Sequence, residues 1–183
     1  MNLVISGQVE SGKTTWCFSY AKRLTRAGFR TGGIICPAVM ANGKKIGCDA
    51  EDQQILTRRV FARLSDRADF TGEAVGRYLI SPDGLTFARQ ALNEAITKRC
   101  DLILIDEIGP LDLAGRGLMD LAEQAYRAAP VTITVVRRKL LEPFFDQVQK
   151  HMSLEGFYVK DTDSGAVYNV NTEWGGLLQC WKN

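Results

Sequence analysis

Near its N-terminus the chain reads Gly7-Gln8-Val9-Glu10-Ser11-Gly12-Lys13-Thr14, followed by Thr15. This run fits the pattern G-x-x-x-x-G-K-[ST] at every defined position. The glycines permit a turn in which successive backbone N–H groups point into one concavity, and the start of a following helix adds partial positive charge there. We therefore predict a phosphate-binding loop over residues 7–15. In it, an exposed Lys13 meets the β- and γ-phosphates of a nucleotide, and the Thr14 hydroxyl binds Mg²⁺.

The residues around this loop indicate one α/β domain over residues 1–183. Strands alternate with helices, and the continuous apolar run 102–105 is typical of a strand that helices cover on both faces. The pattern favours a mostly parallel sheet flanked by helices. A β-rich insertion at about 31–80 interrupts it, with a hairpin turn at Asn42-Gly43. We predict strands at 2–6, 76–80, 102–105, 131–136 and 156–160, and helices at 13–27, 83–99, 114–128 and 140–151, with no assignment after Asp163.

Composition excludes several classes of protein. The formal net charge of +2 on 183 residues gives no dominant field for nucleic acid, and no apolar run approaches the length that a bilayer requires. No signal peptide is recognisable, so we expect a cytoplasmic protein with reduced cysteines. A basic segment (Arg58, Arg59, Arg63, Arg67) has no aromatic partners and is interpreted as a solvated face. Cys36 and Cys48 could meet across the predicted hairpin, which leaves a metal or redox role open.

A second group of polar residues follows the buried strand. Asp106 would reach the carboxyl edge of the sheet, where it can hold the Mg²⁺ that Thr14 also contacts. Glu107 faces another way and could orient a water beside the γ-phosphate and accept its proton. The alternative is a polar strand end that leads into a turn at Gly109-Pro110.

Two arginines follow the strand at 131–136. Arg137 and Arg138 should lie at the same edge of the sheet, and one of them could stabilise charge on the γ-phosphate. Neighbouring residues at a strand end point to opposite sides, so only one can do so. An ordinary solvated helix start explains the pair equally well.

The sequence resembles the THEP-type nucleoside-triphosphatases. The resemblance rests on residues 7–15, 28–32, 43–47, 75–78 and 105–113, of which Asp106-Glu107-Ile108-Gly109-Pro110 is the most distinctive. It implies a RecA-like sheet and magnesium-dependent hydrolysis of nucleoside triphosphates, ATP or GTP or both. It also implies phosphate and magnesium binding by Lys13 and Thr14, a metal aspartate at Asp106 and a base at Glu107.

Three functions are compatible with these residues. The first is a magnesium-dependent nucleoside triphosphate hydrolase, favoured because Glu107 adjoins Asp106. The second is a small-molecule or nucleotide kinase that replaces water with an acceptor hydroxyl, whose pocket the 31–80 insertion could contain. The third is a partner-regulated nucleotide switch. Asp106 to Gly109 fits D-x-x-G, but the chain has no [NT]-K-x-D guanine motif.

Overall fold

The computed structural model describes residues 1–8 and 11–172 of the chain. The strands are β1 (Asn2–Ser6), β2 (Thr31–Ile35), β3 (Ala38–Ala41), β4 (Lys44–Asp52), β5 (Arg58–Leu64), β6 (Glu73–Val75), β7 (Tyr78–Ile80), β8 (Leu102–Ile108), β9 (Val131–Val136), β10 (Phe157–Asp161) and β11 (Val167–Asn169). The helices are α1 (Lys13–Arg26), α2 (Pro82–Thr97), α3 (Pro110–Leu113), α4 (Met119–Ala128) and α5 (Leu141–Gln149).

These strands form one sheet of eleven strands within the described residues. Its central part, in the order β10-β1-β9-β8-β2, is parallel throughout. The strands of the 31–80 segment continue the sheet beyond β2 in antiparallel pairs, and β11 adds an antiparallel strand at the opposite edge. This confirms the α/β fold class with a β-rich insertion, and the insertion shares the sheet of the central strands.

Helices cover both faces of the parallel strands, as the apolar run of β8 predicts. Leu102 and Leu104 pack on the side of α1, where Cys17 and Ala21 are buried, whereas Ile103 and Ile105 pack on the side of the other helices. All four residues of this run are at most 1% exposed. Burial on both faces therefore holds β8 rigidly, and the residues that follow Ile105 start from a fixed position.

Two of the boundaries that differ from the predictions lie beside the expected site. The predicted helix at 114–128 begins only at Met119, because Asp112 accepts the backbone N–H of Leu118 at 2.6 Å and closes a loop between α3 and α4. Strand β8 continues to Ile108, three residues beyond the apolar run. Its pairing with β9 shifts register between Ile105 and Ile108, so Glu107 sits at an irregularity of the ladder.

Candidate active site

The predicted phosphate loop joins β1 to α1, although Val9 and Glu10 lie outside the described residues. Gly12 precedes the helix with φ 80°, a left-handed conformation that glycine adopts without strain. A Cβ at Gly7 would lie 2.1 Å from Oγ1 of Thr162, in the turn that follows β10. Glycine is therefore needed at position 7 because another segment of the chain passes directly against the loop.

Lys13 lies inside this loop, and the expectation that it is exposed is wrong. Its exposed fraction is 9%, because the side chain folds back over the loop instead of extending into solvent. Nζ donates to the carbonyl oxygens of Gly7 (3.2 Å) and Gln8 and to Oγ of Ser11 (3.3 Å). Burial lowers the pKa of Lys13, with the carboxylate of Glu107 acting in the opposite direction.

Asp106 is the most deeply buried carboxylate of the site, at 1% exposure. Its Oδ2 accepts the backbone N–H of Cys36 at 2.8 Å. Its Oδ1 is buried and has no hydrogen-bond partner among the described residues. Burial, followed by the charge of Glu107, raises the pKa of Asp106 to about 6, and the nearby Thr14 hydroxyl acts in the opposite direction.

The surroundings of Asp106 fit a magnesium ion. An orphaned carboxylate oxygen beside a threonine hydroxyl is a pair of hard oxygen donors, which Mg²⁺ prefers. Within residues 1–8 and 11–172, no group of three or more acidic, histidine or cysteine side chains could hold a metal alone. A magnesium ion here would therefore need further oxygens from phosphate and water, as is usual for Mg²⁺ bound with a nucleotide.

Glu107 is held in a strained conformation between two cations. Its φ is 62°, a left-handed value that costs a non-glycine residue roughly 1–2 kcal/mol. Oε1 accepts from a guanidinium nitrogen of Arg137 at 3.2 Å and lies 3.8 Å from Nζ of Lys45. Such strain persists where surrounding contacts enforce it, typically at functional sites. The turn at Gly109 is capped by Asp112, whose Oδ2 accepts the Gly109 N–H at 2.7 Å, so Glu107 has no capping role there.

The two arginines after β9 point to different places. Arg137 lines the same cavity as the phosphate loop. Arg138 forms ion pairs with Asp161 (2.6 Å), the last residue of β10, and with Asp163 (2.7 Å) in the turn that follows. Asp163 in turn accepts the backbone N–H of Gln8 at 3.1 Å. Arg138 therefore supports the phosphate loop from outside, whereas Arg137 faces its interior.

A cavity of about 670 Å³ brings several of the predicted site residues together, from Ser11 to Thr15, Glu107 and Arg137, but not Gly7, Gln8 or Arg138. We call it the nucleotide cavity. It is lined by Ser11 to Thr15 of the loop, by Glu107 and Arg137, and by insertion residues that include Lys45, Arg58, Arg77 and Tyr78. Asp106 lies beneath it, against Thr14 and Cys36. The arrangement combines the described part of the loop, the first residues of α1 with Lys13, a buried aspartate and a glutamate held between two cations.

Comparison with known proteins places the chain in a family. A family model described as NTPase matches residues 2–170. The chain belongs to the THEP1-type nucleoside-triphosphatase family. The protein "Nucleoside-triphosphatase THEP1" of Methanopyrus kandleri is 32% identical over 142 residues, which cover 78% of this chain and 76% of that protein. Its counterpart in Pyrobaculum aerophilum is 27% identical over 180 residues, which cover 98% and 95% of the two chains.

A solved structure shares the fold of this family member. The solution structure of a human cancer-related nucleoside triphosphatase superposes with a TM-score of 0.65 over 98% of this chain and 96% of that one. The sequence identity is 19%, so the likeness concerns the fold. No helix in the described part of the chain has the length and hydropathy needed to cross a membrane.

Several residues of this THEP1-type site were missed by sequence reasoning. Lys45 reaches Glu107 from β4, and Asp161 and Asp163 bind Arg138, with Asp163 also accepting the Gln8 N–H of the loop. In the sequence these lysine and aspartate residues look like ordinary surface residues. Only the folded sheet brings β4 and the end of β10 to the edge at which the site lies. The segment 43–47, one of those that carry the family resemblance, includes Lys45, but nothing in it indicates that Lys45 pairs with Glu107.

The cysteines and the basic segment take structural positions in this fold. Cys17, Cys36, Cys48 and Cys100 are buried free thiols, as expected, and Cys180 lies outside the described residues. Cys36 and Cys48 do meet, and a hydrogen bond with Cys48, together with burial, raises the pKa of Cys36.

In the basic segment, Arg58 pairs with Glu51 and Arg63 with Asp49. Both arginines are thus paired across neighbouring strands.

Proposed function

We propose that the protein hydrolyses nucleoside triphosphates to diphosphate and phosphate in a Mg²⁺-dependent reaction in the nucleotide cavity. The observation that carries the proposal is the position of Glu107, which lies beside Arg137 in the cavity that the phosphate loop lines. The names of the relatives from Methanopyrus kandleri and Pyrobaculum aerophilum support the same reaction. ATP and GTP are the first substrates to test.

The loop and the buried aspartate would hold the triphosphate and its metal. Backbone N–H groups of residues 11–15 and the ammonium of Lys13 offer donors to the β- and γ-phosphates. The Thr14 hydroxyl and the orphaned Oδ1 of Asp106 are the protein oxygens available to Mg²⁺ or to its water shell. The bound ion supplies positive charge that stabilises the phosphate oxygens during transfer.

Glu107 would act as the general base. Its carboxylate accepts the proton of a water whose oxygen attacks the γ-phosphorus, while the bond from that phosphorus to the bridging oxygen breaks and the diphosphate leaves. Contacts with Arg137 and Lys45 orient the carboxylate before the substrate arrives. Arg137 also places positive charge where negative charge develops on the γ-phosphate.

The substitution Glu107→Gln tests the assignment. The amide keeps the shape of the carboxylate but accepts no proton, so single-turnover hydrolysis should slow by about 10²–10⁴-fold while triphosphate affinity changes little. Glu123→Gln is the control for the loss of a carboxylate, because Glu123 pairs with His151 at 2.8 Å and does not line the cavity. Hydrolysis at the wild-type rate in Glu107→Gln would remove Glu107 from the mechanism.

One assay identifies the preferred triphosphate and distinguishes the hydrolase from the kinase and the nucleotide switch. Phosphate release is measured with ATP, GTP, CTP and UTP, with Mg²⁺ or with a chelator, and without any acceptor or protein partner. The hydrolase predicts release that requires Mg²⁺ alone. Release that begins only when a phosphoryl acceptor is added indicates a kinase, and slow release that a protein accelerates indicates a switch.

A further inference from the structure

A second cavity of about 310 Å³ adjoins the nucleotide cavity. Five residues line both of them: Lys45, Arg77, Tyr78, Glu107 and Arg137. Its walls come from β4, β5 and the β6–β7 hairpin of the insertion on one side, and from the segment 107–112 on the other. Glu107 therefore stands between the proposed triphosphate site and a second, partly open space.

The lining of the second cavity is largely apolar. Phe61, Ala62 and Leu111 are buried side chains of its wall, and Val75 and Ile80 add half-buried ones. Cavities of this volume lie at the lower end of those that bind small organic molecules. The space thus suits a compact molecule with an apolar body.

The charges around the second cavity favour an anion. Four basic side chains line it (Lys45, Arg77, Arg137 and Lys139) against the carboxylates of Glu107 and Asp112. Asp112 is engaged by backbone donors, the N–H groups of Gly109 and Leu118. Among the residues that the structure describes, Arg77 and Lys139 form no ion pair; the guanidinium of Arg77 contacts the Tyr78 hydroxyl at 3.2 Å. Two cations are therefore available to a negatively charged group.

The carboxylate of Glu107 reaches both spaces. Its Oε1 accepts from Arg137, and its Oε2 lies 3.9 Å from Sγ of Cys48, which lines only the second cavity. A hydroxyl group held in the second cavity would thus lie near the same oxygen atoms that we assign to water activation. The base needs no rearrangement to act on it.

We propose that the second cavity binds a small organic anion carrying an apolar body and a hydroxyl group, and that the protein transfers the γ-phosphoryl group to that hydroxyl. The inference rests on the proposed function for the triphosphate site and for Glu107. The hydroxyl oxygen forms a bond to the γ-phosphorus, and its proton passes to Glu107. The bond to the bridging oxygen breaks, and the diphosphate leaves with the electron pair. Hydrolysis is then the reaction with water when the second cavity holds no acceptor.

Two matched probes test this proposal with the full-length protein, Mg²⁺ and γ-³²P-labelled ATP and GTP. 4-(Hydroxymethyl)benzoate has the ring, the charge and the hydroxyl, whereas 4-methylbenzoate has the same body without the hydroxyl. We expect a labelled phosphomonoester with the first probe only, and reduced release of inorganic phosphate with both. Release that neither probe alters, without labelled ester, would overturn the inference and leave the hydrolase standing. No release without probe would instead contradict the proposed function.

Neighbouring residues of β6 provide the matched variants. Val75 lines the second cavity, whereas Ala74 is exposed and lies on the opposite face of the strand. Val75→Phe should remove the labelled ester and the effect of both probes on phosphate release. Ala74→Phe should retain both effects. Ester formation by Val75→Phe at the wild-type rate would place the acceptor elsewhere, and thermal unfolding of both variants confirms that they are folded.

Discussion

Replacing Asp106 with asparagine should stabilise the protein in the absence of Mg²⁺ and nucleotide, while it removes Mg²⁺-dependent hydrolysis. The carboxylate is buried, and one of its oxygens has no partner among the described residues. Its pKa is raised from 3.8 to about 6, so the folded state favours the protonated form. Ionisation of Asp106 therefore costs stability as pH rises through this interval, the reverse of an aspartate in a salt bridge.

The size of the effect follows from the shift in pKa. About two units correspond to about 3 kcal/mol of unfolding free energy at pH 8, where Asp106 is charged in both states. The same linkage gives roughly half of this amount at pH 5 and less than about 1 kcal/mol at pH 4. The uncharged amide of Asp106→Asn avoids this cost, so the variant should gain these amounts. At pH 8 this corresponds to a rise in Tm of about 6–12 °C for a chain of this size.

Urea unfolding with a chelator present, at pH 8, 5 and 4, measures the gain directly. Asp112→Asn is the matched control, because Asp112 is similarly buried but its two oxygens accept the N–H groups of Gly109 and Leu118. In Asp112→Asn the new side-chain NH₂ group would point at one of these backbone N–H groups, so a hydrogen bond is lost. The unfolding free energy should fall by about 1–3 kcal/mol.

Saturating Mg²⁺ and triphosphate should reverse the order of the wild type and Asp106→Asn. Only the wild type then gains binding energy, about 4.1 kcal/mol at a ligand concentration of about 1,000 Kd, which exceeds the advantage of about 3 kcal/mol that the variant has at pH 8. The reasoning is refuted if Asp106→Asn is no more stable than the wild type at pH 8 without ligands. A gain that stays constant from pH 8 to pH 4 refutes it as well.

Four further substitutions test the phosphate loop, the two arginines after β9 and one strained residue away from the site. Lys13→Ala should weaken triphosphate binding in calorimetric titration, because the ammonium that it removes lies within the phosphate loop; unchanged affinity in a folded variant would show that the loop does not bind phosphate. Arg137→Ala should lower the single-turnover rate more than it lowers triphosphate affinity. Arg138→Ala should lower Tm and triphosphate affinity together, because it releases Asp161 and Asp163. Equal effects of the two substitutions would contradict the different roles assigned to the two arginines. Arg99→Gly should raise the unfolding free energy by about 1 kcal/mol in urea titration, because Arg99 lies just after α2 with a φ of 53°, which glycine adopts without strain. Arg99 has no role in the site, and a loss of stability in the variant would contradict the strain argument.

Local sequence patterns were sufficient to predict most of the strands, helices and turns of the fold. The phosphate loop, the strand before it and the helix after it are encoded within some two dozen consecutive residues, because turn chemistry and hydrophobic periodicity act over short distances. The apolar run 102–105 likewise predicted a strand buried on both faces, and the structure buries all four residues. The hairpin at Asn42-Gly43 joins β3 to β4 as its turn signal predicts.

Long-range contacts decided the rest. How far β8 runs past Ile105 depends on its pairing with β9, a strand that comes later in the sequence, after α3 and α4. The choice between Arg137 and Arg138 follows from where β10 places its aspartates, more than twenty residues later. The pairing of Lys45 with Glu107 exists only because the insertion extends the central sheet. Sequence alone was enough to identify the loop, Asp106, Glu107 and the two arginines as candidates, because each follows a local pattern. Tertiary packing decided which further groups join them, how deeply each is buried and which space it faces.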